Sequence, residues 1–515
     1  MAVTNAAQAT VKTVADPNAE YESLQELWTK CKAVCSGERF VKDLDPIVSV
    51  NNLLIPFSPS MSQAQYNFYK AEAELPGIMA QFSKMLIGGL LRKSPSLKLG
   101  DNIPKEAHDW IVNQFSQDDS TLISFLDEAL WEEIRTSRCW VYVDYPVVEN
   151  QKNLTRSDLK ELKPYPIIWS AETVINWKIS EKSGRNVLEQ VIVRGLTKDF
   201  SKNEFHPEYI DTVWVHEVVK NKYQIRVYKK EDNVLVIPVI SGKKQQQLQP
   251  ATFELVDTLT NFIINGEPLS FIPAWPLNGS IETVTPVLST LIDKEISLYN
   301  KISRRNHLLY GAATYTPVIA SDMQEDDFNR IVDAGLGSWI QINQGDTATC
   351  LATPTDALAD MDRTIAASIE ELAKLGIRML TPETEQSGVA LQLRNAAQTA
   401  QLGTLNSKIS STLRQIIAFM LEWRYGIQLK PQEIDFSLSA DFNPSPLGHD
   451  WLRLATEWYE GGLIPRSVWL IILKNNDILS PDYDDVDGQE EINGDELLQA
   501  KNDTEAKDYL REVKE

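Results

Sequence analysis

The chain has 515 residues and a net charge of −22, from 50 basic and 72 acidic side chains. So acidic a chain is not expected to bind nucleic acid tightly over its whole surface, because such binding needs many cationic contacts to phosphate. Four cysteines exclude a disulfide framework and fit a reducing compartment. No apolar run resembles a signal peptide or approaches a membrane span, so the sequence predicts a soluble protein made in the cytoplasm.

Residues 20–135 are mainly helical in pattern. Apolar side chains recur at helical spacing from about 20 to 39, again from about 62 to 92, and again from about 120 to 136, where Ser120 is the expected N-cap. Cys31 and Cys35 stand four residues apart on the first helix. A metal site is one interpretation, but no second Cys/His pair accompanies them, so two half-buried helix residues are the preferred interpretation.

Six short segments then follow an alternating pattern typical of antiparallel strands. They are residues 139–146, 165–169, 186–195, 211–219, 223–230 and 233–240. The pattern predicts a mainly β region over about 139–277 that packs on the N-terminal helices.

The helical period returns at 285–310 and gives way to a strand that we expect to end at Pro317. A short glycine-rich module follows, and then a second helix over about 356–380. Pro382 cannot continue that helix, and a polar loop separates it from a third helix.

The third helix, at about 388–425, is unusually long. At 1.5 Å per residue it measures about 55 Å, more than a small domain can cover. It predicts either a coiled-coil hairpin with the helix at 356–380 or a spoke packed against neighbouring copies of the chain. Gly403 is a candidate kink.

The C-terminal part begins with a strand in PQEIDFSLSADF, followed by two short helices. From Asp482 onward, 13 acidic residues face 4 basic ones. Such a run is typical of a solvated tail, although a final amphipathic helix is compatible with its pattern.

Motifs for known catalytic chemistry are absent from the sequence. GxxxxGK[ST], HExxH and GxSxG do not occur, and none of the five histidines stands at metal-ligand spacing. Acidic pairs such as Asp360 with Asp362 diverge on their helix rather than converge. The sequence therefore predicts a protein that is not an enzyme and that holds neither metal nor cofactor.

The order of these segments resembles that of the portal proteins of tailed double-stranded DNA bacteriophages. The resemblance is carried by SRCWVYVDYP (137–146), by TPVLSTLIDKEISLYNKISRRNHLLYGAATYTPVI (285–319), by ELAKLGIRMLTPETEQSGVALQLRN (371–395), and by the segment 436–479. It extends over about 285–480 and more weakly over the N-terminal half. Ser137 departs from the Gly-Arg that usually precedes the strand in one portal subgroup.

The resemblance implies an α+β subunit that assembles as a ring and follows the portal plan of wing, stem, clip and crown. Its segments are a helical and β wing at 1–284, a stem helix at 285–311, an α/β clip at 312–354, a second stem helix at 355–380, a tunnel loop at 381–388, a long wing helix at 389–427, and a helical crown with an acidic tail at 428–515.

Site residues follow from the same resemblance. The loop that faces the DNA channel would contain Thr381, Glu383, Thr384, Glu385, Gln386 and Ser387, and its alternative is a plain helix–helix turn. Cations on the stem would face DNA or pair with acids of adjacent subunits; they are Lys294, Lys301, Arg304, Arg305, Lys374 and Arg378. Clip contacts between subunits or with other proteins would come from Phe328, Ile331 and Trp339.

The implied function is a channel at one capsid vertex for packaging and ejecting double-stranded DNA, built as a dodecameric ring. Implied partners are the terminase large subunit, head-completion adaptor or tail proteins, and the major capsid and scaffolding proteins. The protein would assemble in the bacterial cytoplasm and reside in the virion. Alternatives are a non-viral oligomeric scaffold and an enzyme with dispersed catalytic residues.

Overall fold

The computed structural model divides the chain into two compact units, Met1–Ala440 and Asp441–Glu515. The residues that it describes are 13–44, 53–100, 102–145, 162–182, 184–230, 252–313, 316–320, 324, 345, 347–351, 356–375, 388–438, 449–475 and 478–479. Helices and antiparallel sheets occur in separate stretches of the first unit, which confirms the predicted α+β class.

Six helices form the N-terminal part. They are α1 (Ala19–Ser36), α2 (Glu38–Asp43), α3 (Gln63–Glu72), α4 (Ile78–Leu90), α5 (Lys105–Asn113) and α6 (Leu122–Thr136). The prediction of one helix over 62–92 is wrong: α3 ends before Pro76, and Gly77 adopts φ 71°, a conformation that favours glycine. Thr121, not Ser120, caps α6, because its hydroxyl accepts from the Ser124 amide.

The described strands form a five-stranded sheet, a three-stranded sheet and smaller strand pairs. Strands β4 (Val174–Lys182), β5 (Arg185–Asp199), β6 (Glu208–Val219), β7 (Lys222–Lys230) and β8 (Phe253–Leu259) pair in chain order as an antiparallel meander. Strand β2 (Trp140–Asp144) lies between β3 (Tyr165–Trp169) and β11 (Ala274–Pro276).

Two further strand pairs lie in the same unit. Strand β1 (Ser96–Lys98) pairs with β14 (Asp435–Ser437), and β9 (Ile263–Ile264) pairs with β10 (Glu267–Pro268). The strand expected at 233–240 lies outside the described residues. The sequence pattern does not predict β1, β4, β8, β9 or β10.

The core of the first unit joins α1 to the five-stranded sheet. Trp28 on α1 is fully buried and lies in one cluster with Ile192, Val213 and Val215. Tyr21 lies edge-on to Trp28, with ring centroids 5.5 Å apart. Burial of these large side chains fastens the sheet to the helices.

Two long helices and a small sheet follow. Helix α7 (Ser289–Ala313) leads to β12 (Thr316–Ala320), which pairs antiparallel with β13 (Thr347–Leu351), and the chain continues as α8 (Asp356–Leu375). The prediction that the strand ends at Pro317 is wrong, because β12 contains this residue. A two-stranded sheet leaves each strand one unpaired edge, where proline is tolerated.

Helix α9 (Gly388–Tyr425) has 38 residues and runs without interruption through Gly403. Ile409, Leu413, Ile416 and Met420 on its second half are fully buried. In the described part of the chain α9 packs mainly against β11, β14 and a short 3-10 turn at Pro431–Glu433. These contacts differ from those of a coiled-coil hairpin with α8.

The second unit has two described helices, α10 (His449–Glu460) and α11 (Arg466–Asn475). Tyr459 stacks on Trp469 with ring centroids 4.9 Å apart, so the pair forms a small hairpin. The acidic segment from Asp482 lies outside the described residues. Among the helices that are described, none combines the length and apolarity needed to cross a bilayer.

Candidate functional site: the two-helix stem and its junctions

Helices α7 and α8 form an antiparallel pair, here called the stem. Among the described residues, the polar contacts between them include three in which residue numbers rise along α7 as they fall along α8. The contacts are Lys294 Nζ to Glu371 Oε1 at 2.5 Å, Lys301 Nζ to Ser368 Oγ at 2.7 Å, and Arg305 Nε to Asp362 Oδ1 at 2.7 Å.

The spacing of the three cations explains why they line up. Lys294, Lys301 and Arg305 are separated by seven and four positions, which places them on one face of an α-helix. Hydrogen bonding to Lys294 lowers the pKa of the Glu371 carboxyl. Both ion pairs are substantially exposed, so they orient the helices more than they stabilise them.

The resemblance assigns the stem cations either to DNA or to adjacent subunits. The structure shows that Lys294, Lys301 and Arg305 have partners within their own chain. Arg304 lies on α7 and Lys374 on α8, whereas Arg378 lies outside the described residues. Contacts of these cations with DNA or with other subunits stay predictions.

A buried carboxylate fastens the stem to the N-terminal helices. Glu295 on α7 is fully buried, and its two oxygens accept hydrogen bonds from the backbone N–H groups of Ile78 and Met79, both at 2.8 Å. These amides open α4, whose own N-cap, Gly77, has no side chain to satisfy them. Burial raises the pKa of Glu295, and the helix dipole of α4 favours its charged form.

Further along α7, Asn300 makes a second connection. Its Oδ1 accepts from the Ile55 amide at 2.7 Å, and its Nδ2 donates to the carbonyl of Leu53 at 2.8 Å. Asn300 thus pairs with both a donor and an acceptor of the segment ahead of α3. Sequence reasoning missed Glu295 and Asn300, because on a helix of mixed polarity they are not distinguished from exposed residues.

The start of the stem is tied to the turn between α6 and β2. Ser137 has φ 51°, in the left-handed region, and its Oγ accepts from the Val287 amide at 3.2 Å. Its carbonyl accepts from Asn278 Nδ2 at 2.7 Å. In the portal subgroup named above, glycine usually occupies this position. A glycine here would adopt the left-handed conformation without strain.

The neighbouring Arg138 is almost completely buried. Its guanidinium lies 4.0 Å from the ring centroid of Trp177 and 5.5 Å from that of Trp140, and it donates to the Ile281 carbonyl at 3.2 Å. Burial lowers its pKa to about 10. Cation–π contacts replace part of the lost hydration.

Glu133, on α6, contacts the same turn through its side chain. Its Oε2 accepts from the Cys139 amide at 2.9 Å. Burial raises the pKa of its carboxyl to about 8. The Glu133 carboxyl, which is largely protonated at neutral pH, thus holds Cys139 close to the C-terminal end of α6.

Several predicted site residues lie outside the described residues. They are the tunnel-loop residues Thr381, Glu383, Thr384, Glu385, Gln386 and Ser387, and the clip residues Phe328, Ile331 and Trp339. Their roles stay predictions.

Cys31 and Cys35 are fully buried rather than half-buried, and burial raises the pKa of their thiols to about 12 and about 11. Thiols held protonated in this way are poor metal ligands. The described part of the chain contains no group of three or more His, Cys, Asp or Glu side chains suited to a metal.

Comparisons with known proteins match the chain to one family profile and to a set of solved structures. A protein-family profile described as a domain of unknown function (DUF4055) matches residues 287–424, from the start of α7 to the end of α9. A comparison with curated proteins found no match.

Among solved structures, the chain is similar to one described as the virion of a native gene transfer agent particle, at 10% identity and a TM-score of 0.35. It is also similar to the neck of an empty particle computed with C6 symmetry, at 11% and 0.35, and to the neck of a native particle computed with C12 symmetry, at 10% and 0.32. Each match covers 76% of this chain and 88% of the other.

Proposed function

We propose that this chain is the portal subunit of a tailed double-stranded DNA bacteriophage or a related particle. Copies would form a closed ring at one capsid vertex, and DNA would pass through its centre during packaging and ejection. The observation that carries the proposal is the stem: two antiparallel helices with a two-stranded sheet between them in the chain, followed by the 38-residue α9.

The stem has the form that such a channel subunit needs. It is fastened to the N-terminal helices by buried polar contacts at Glu295 and Asn300, and α8 is exposed on the side away from α7. A helix exposed along one whole side is suited to contact with another copy or with the channel.

Charge supports the same proposal. A ring of subunits that each carry −22 gives an acidic conduit, to which duplex DNA adheres poorly. In such a ring the residues 381–387 would turn between stem and wing at the channel wall, with Glu383 and Glu385 repelling phosphate.

Partners follow from the proposed position at the vertex. The small sheet β12–β13 and the residues around it would dock the terminase large subunit and later the head-completion adaptor or tail proteins. The wing would contact the major capsid and scaffolding proteins. The subunit would assemble in the cytoplasm of the bacterial host.

Particle mass and shape test the proposal directly. We expect light scattering of the purified protein to give a particle of about twelve copies of the 58.2 kDa chain, without added nucleotide or metal. Negative-stain images should show a ring whose hole is at least about 20 Å wide, enough for duplex DNA. A chain that stays a monomer or dimer at every salt concentration contradicts the proposal.

Two rival functions have distinct outcomes in the same preparation. A non-viral scaffold built on long helices would give an assembly with no DNA-sized hole. An enzyme would show a turnover, such as ATP hydrolysis, that a substitution within this chain abolishes.

A further inference from the structure

Four exposed apolar side chains form a row along one side of α7, here called the aromatic stripe. They are Ile55, Phe57, Phe68 and Tyr310, which are 53%, 38%, 45% and 46% exposed. Exposed apolar side chains are normal singly, but a group of them along one helix is a candidate interaction surface.

Contacts to α7 place the members of the stripe along that helix. Ile55 is held through its amide by Asn300, the Phe57 ring lies 4.7 Å from the ring of His307, and the Phe68 ring lies 5.5 Å from that of Tyr310. Positions 300, 307 and 310 are separated by seven and three residues, so they lie on one helical face.

This face of α7 points away from α8. His307 follows Arg305, which contacts α8, by two positions, and two positions are about 200° around an α-helix. The aromatic stripe and α8 therefore lie on opposite sides of α7.

The outward side of α8 carries a matching row, here called the alanine–arginine stripe: Ala359, Arg363 and Ala366. All three are exposed, and Arg363 pairs with Asp360 of its own helix at 2.7 Å. Ala366 precedes Ser368, which contacts α7, by two positions, so this row again lies about 200° from the stem contact.

The two stripes are complementary in shape and in the chemistry of their side chains. The alanines leave room for aromatic rings on either side of Arg363, and a guanidinium stacks well on aromatic faces. Helix α7 carries four basic and two acidic side chains, whereas α8 carries five acidic and two basic ones. Three of these α7 cations, Lys294, Lys301 and Arg305, contact α8 of their own chain, so the attraction between copies rests on Arg363 and the aromatic rings.

We infer that the aromatic stripe of one copy binds the alanine–arginine stripe of the next copy. Because the two stripes lie on opposite sides of the stem, this contact is head-to-tail rather than two-fold, and its repetition builds a ring when the rotation between copies closes. The pairing of Arg305 with Asp362 sets the alignment of α7 with α8. Tyr310 in one stripe therefore lies at about the same height along the stem as Ala359 in the other. A rotation about an axis parallel to the stem, which would relate neighbouring copies in the ring, keeps the two residues at the same height. The inference rests on the proposed function, which supplies the ring.

Substitution on each stripe tests the contact by light scattering of the full-length protein. We expect Phe68→Asp and, separately, Arg363→Glu to raise the concentration at which the particle dissociates by at least about tenfold, the size of one hot-spot side chain. Phe205→Asp is the matched control, because Phe205 is 78% exposed between β5 and β6, away from both stripes. An unchanged far-UV spectrum separates lost assembly from lost folding.

Oxidative cross-linking tests the direction of the contact. With Phe68→Cys and Ala359→Cys in one chain, we expect a ladder of covalent oligomers on a non-reducing gel, with the wild-type protein and its four cysteines as the blank. A dimer from Phe68→Cys alone would show a two-fold contact and overturn the inference.

The two levels of the hypothesis fail in different ways. An intact ring that gives no ladder and tolerates both charged substitutions contradicts this interface but leaves the proposed function standing. A wild-type chain that never assembles contradicts the proposed function and the interface with it.

Discussion

At the scale of single residues, the turn between α6 and β2 concentrates unusual conformations and buried charge. Ser137 adopts a left-handed backbone, Arg138 is enclosed by tryptophan rings, and Glu133 is buried beneath the turn. The turn also accepts a hydrogen bond from the Val287 amide, just ahead of the stem. Changes here therefore act on the joint between the N-terminal helices and the stem.

The backbone of Ser137 gives a first prediction. Ser137→Gly and Ser137→Ala both lose the acceptor of the Val287 amide, but only glycine relieves the left-handed strain. We expect the glycine variant to have a free energy of unfolding about 1 kcal/mol higher than the alanine variant in urea titrations. Equal stability of the two variants would show that the turn relaxes without cost.

The burial of Glu133 gives a pH prediction. Its pKa in the folded protein, about 8, lies above the ordinary value of 4.5. Folding therefore favours the protonated form, and the stabilisation present below about pH 4.5 is lost as the pH rises through about 8.

Glu133→Gln removes this titration and keeps an acceptor for the Cys139 amide. We expect the free energy of unfolding of the variant to rise relative to wild type as the pH increases across that window, measured by urea titration at several pH values. Glu128→Gln, an exposed position on the same helix, is the control and should run parallel to wild type. A constant difference between Glu133→Gln and wild type would contradict the prediction.

At the scale of elements, the N-terminus of α4 depends on a side chain that is remote in sequence. Glu295→Ala leaves the part-buried amide of Ile78 and the buried amide of Met79 without an acceptor, which costs about 1–3 kcal/mol. We expect faster hydrogen exchange at these two amides together with that loss of stability. Asp293→Ala, which removes an exposed partner of Lys30, should change stability by less than about 0.5 kcal/mol. Similar effects of both substitutions would contradict the prediction, because the two hydrogen bonds to α4 would then contribute nothing to stability.

Sequence reasoning found the elements whose pattern is long or strongly periodic. It placed α9 at 388–425, as observed, and found α1, β3 and β7 close to their observed limits. It merged α3 with α4, because apolar spacing continues across Pro76 and Gly77. It missed β1 and its pairing with β14, since a three-residue pairing between positions 97 and 436 leaves almost no local signal.

The same limit applies to the stem. Periodicity identified its helices and its cations, but not which partners the cations have. Whether Lys294 meets an acid of its own chain or of another depends on the antiparallel alignment of α7 with α8, which forms only when the chain folds. Buried polar residues such as Glu295 were missed because their role depends on the amides of a distant helix.

At the scale of the whole molecule, the proposed channel makes a prediction about charge. Replacing Glu383 and Glu385 with lysine removes two negative charges and adds two positive ones, so the net charge of −22 becomes about four units less negative. The new cations would lie together in the proposed tunnel loop. Lysines that bind phosphate there would hold moving DNA in a salt-dependent way. We expect normal assembly and thermal stability, but less DNA packaged per particle.

The control is the pair Glu383→Gln and Glu385→Gln, which removes charge without adding cations and should package DNA nearly normally. Wild-type packaging and ejection by the lysine variant would contradict the assignment of residues 381–388 to the channel and would favour a plain surface turn.

The anchoring of α7 has a mechanical consequence. Its 25 residues form a stiff rod of about 37 Å, whose first half is held at Glu295 and Asn300 by backbone groups that open α4 and precede α3. A lateral push on the far end, where β12 begins, turns the rod about these two fixed points instead of bending it. We therefore expect the torque to be transmitted to α4 and to the segment ahead of α3. A protein that binds at the β12 end of the stem would then exert a force on the N-terminal helices.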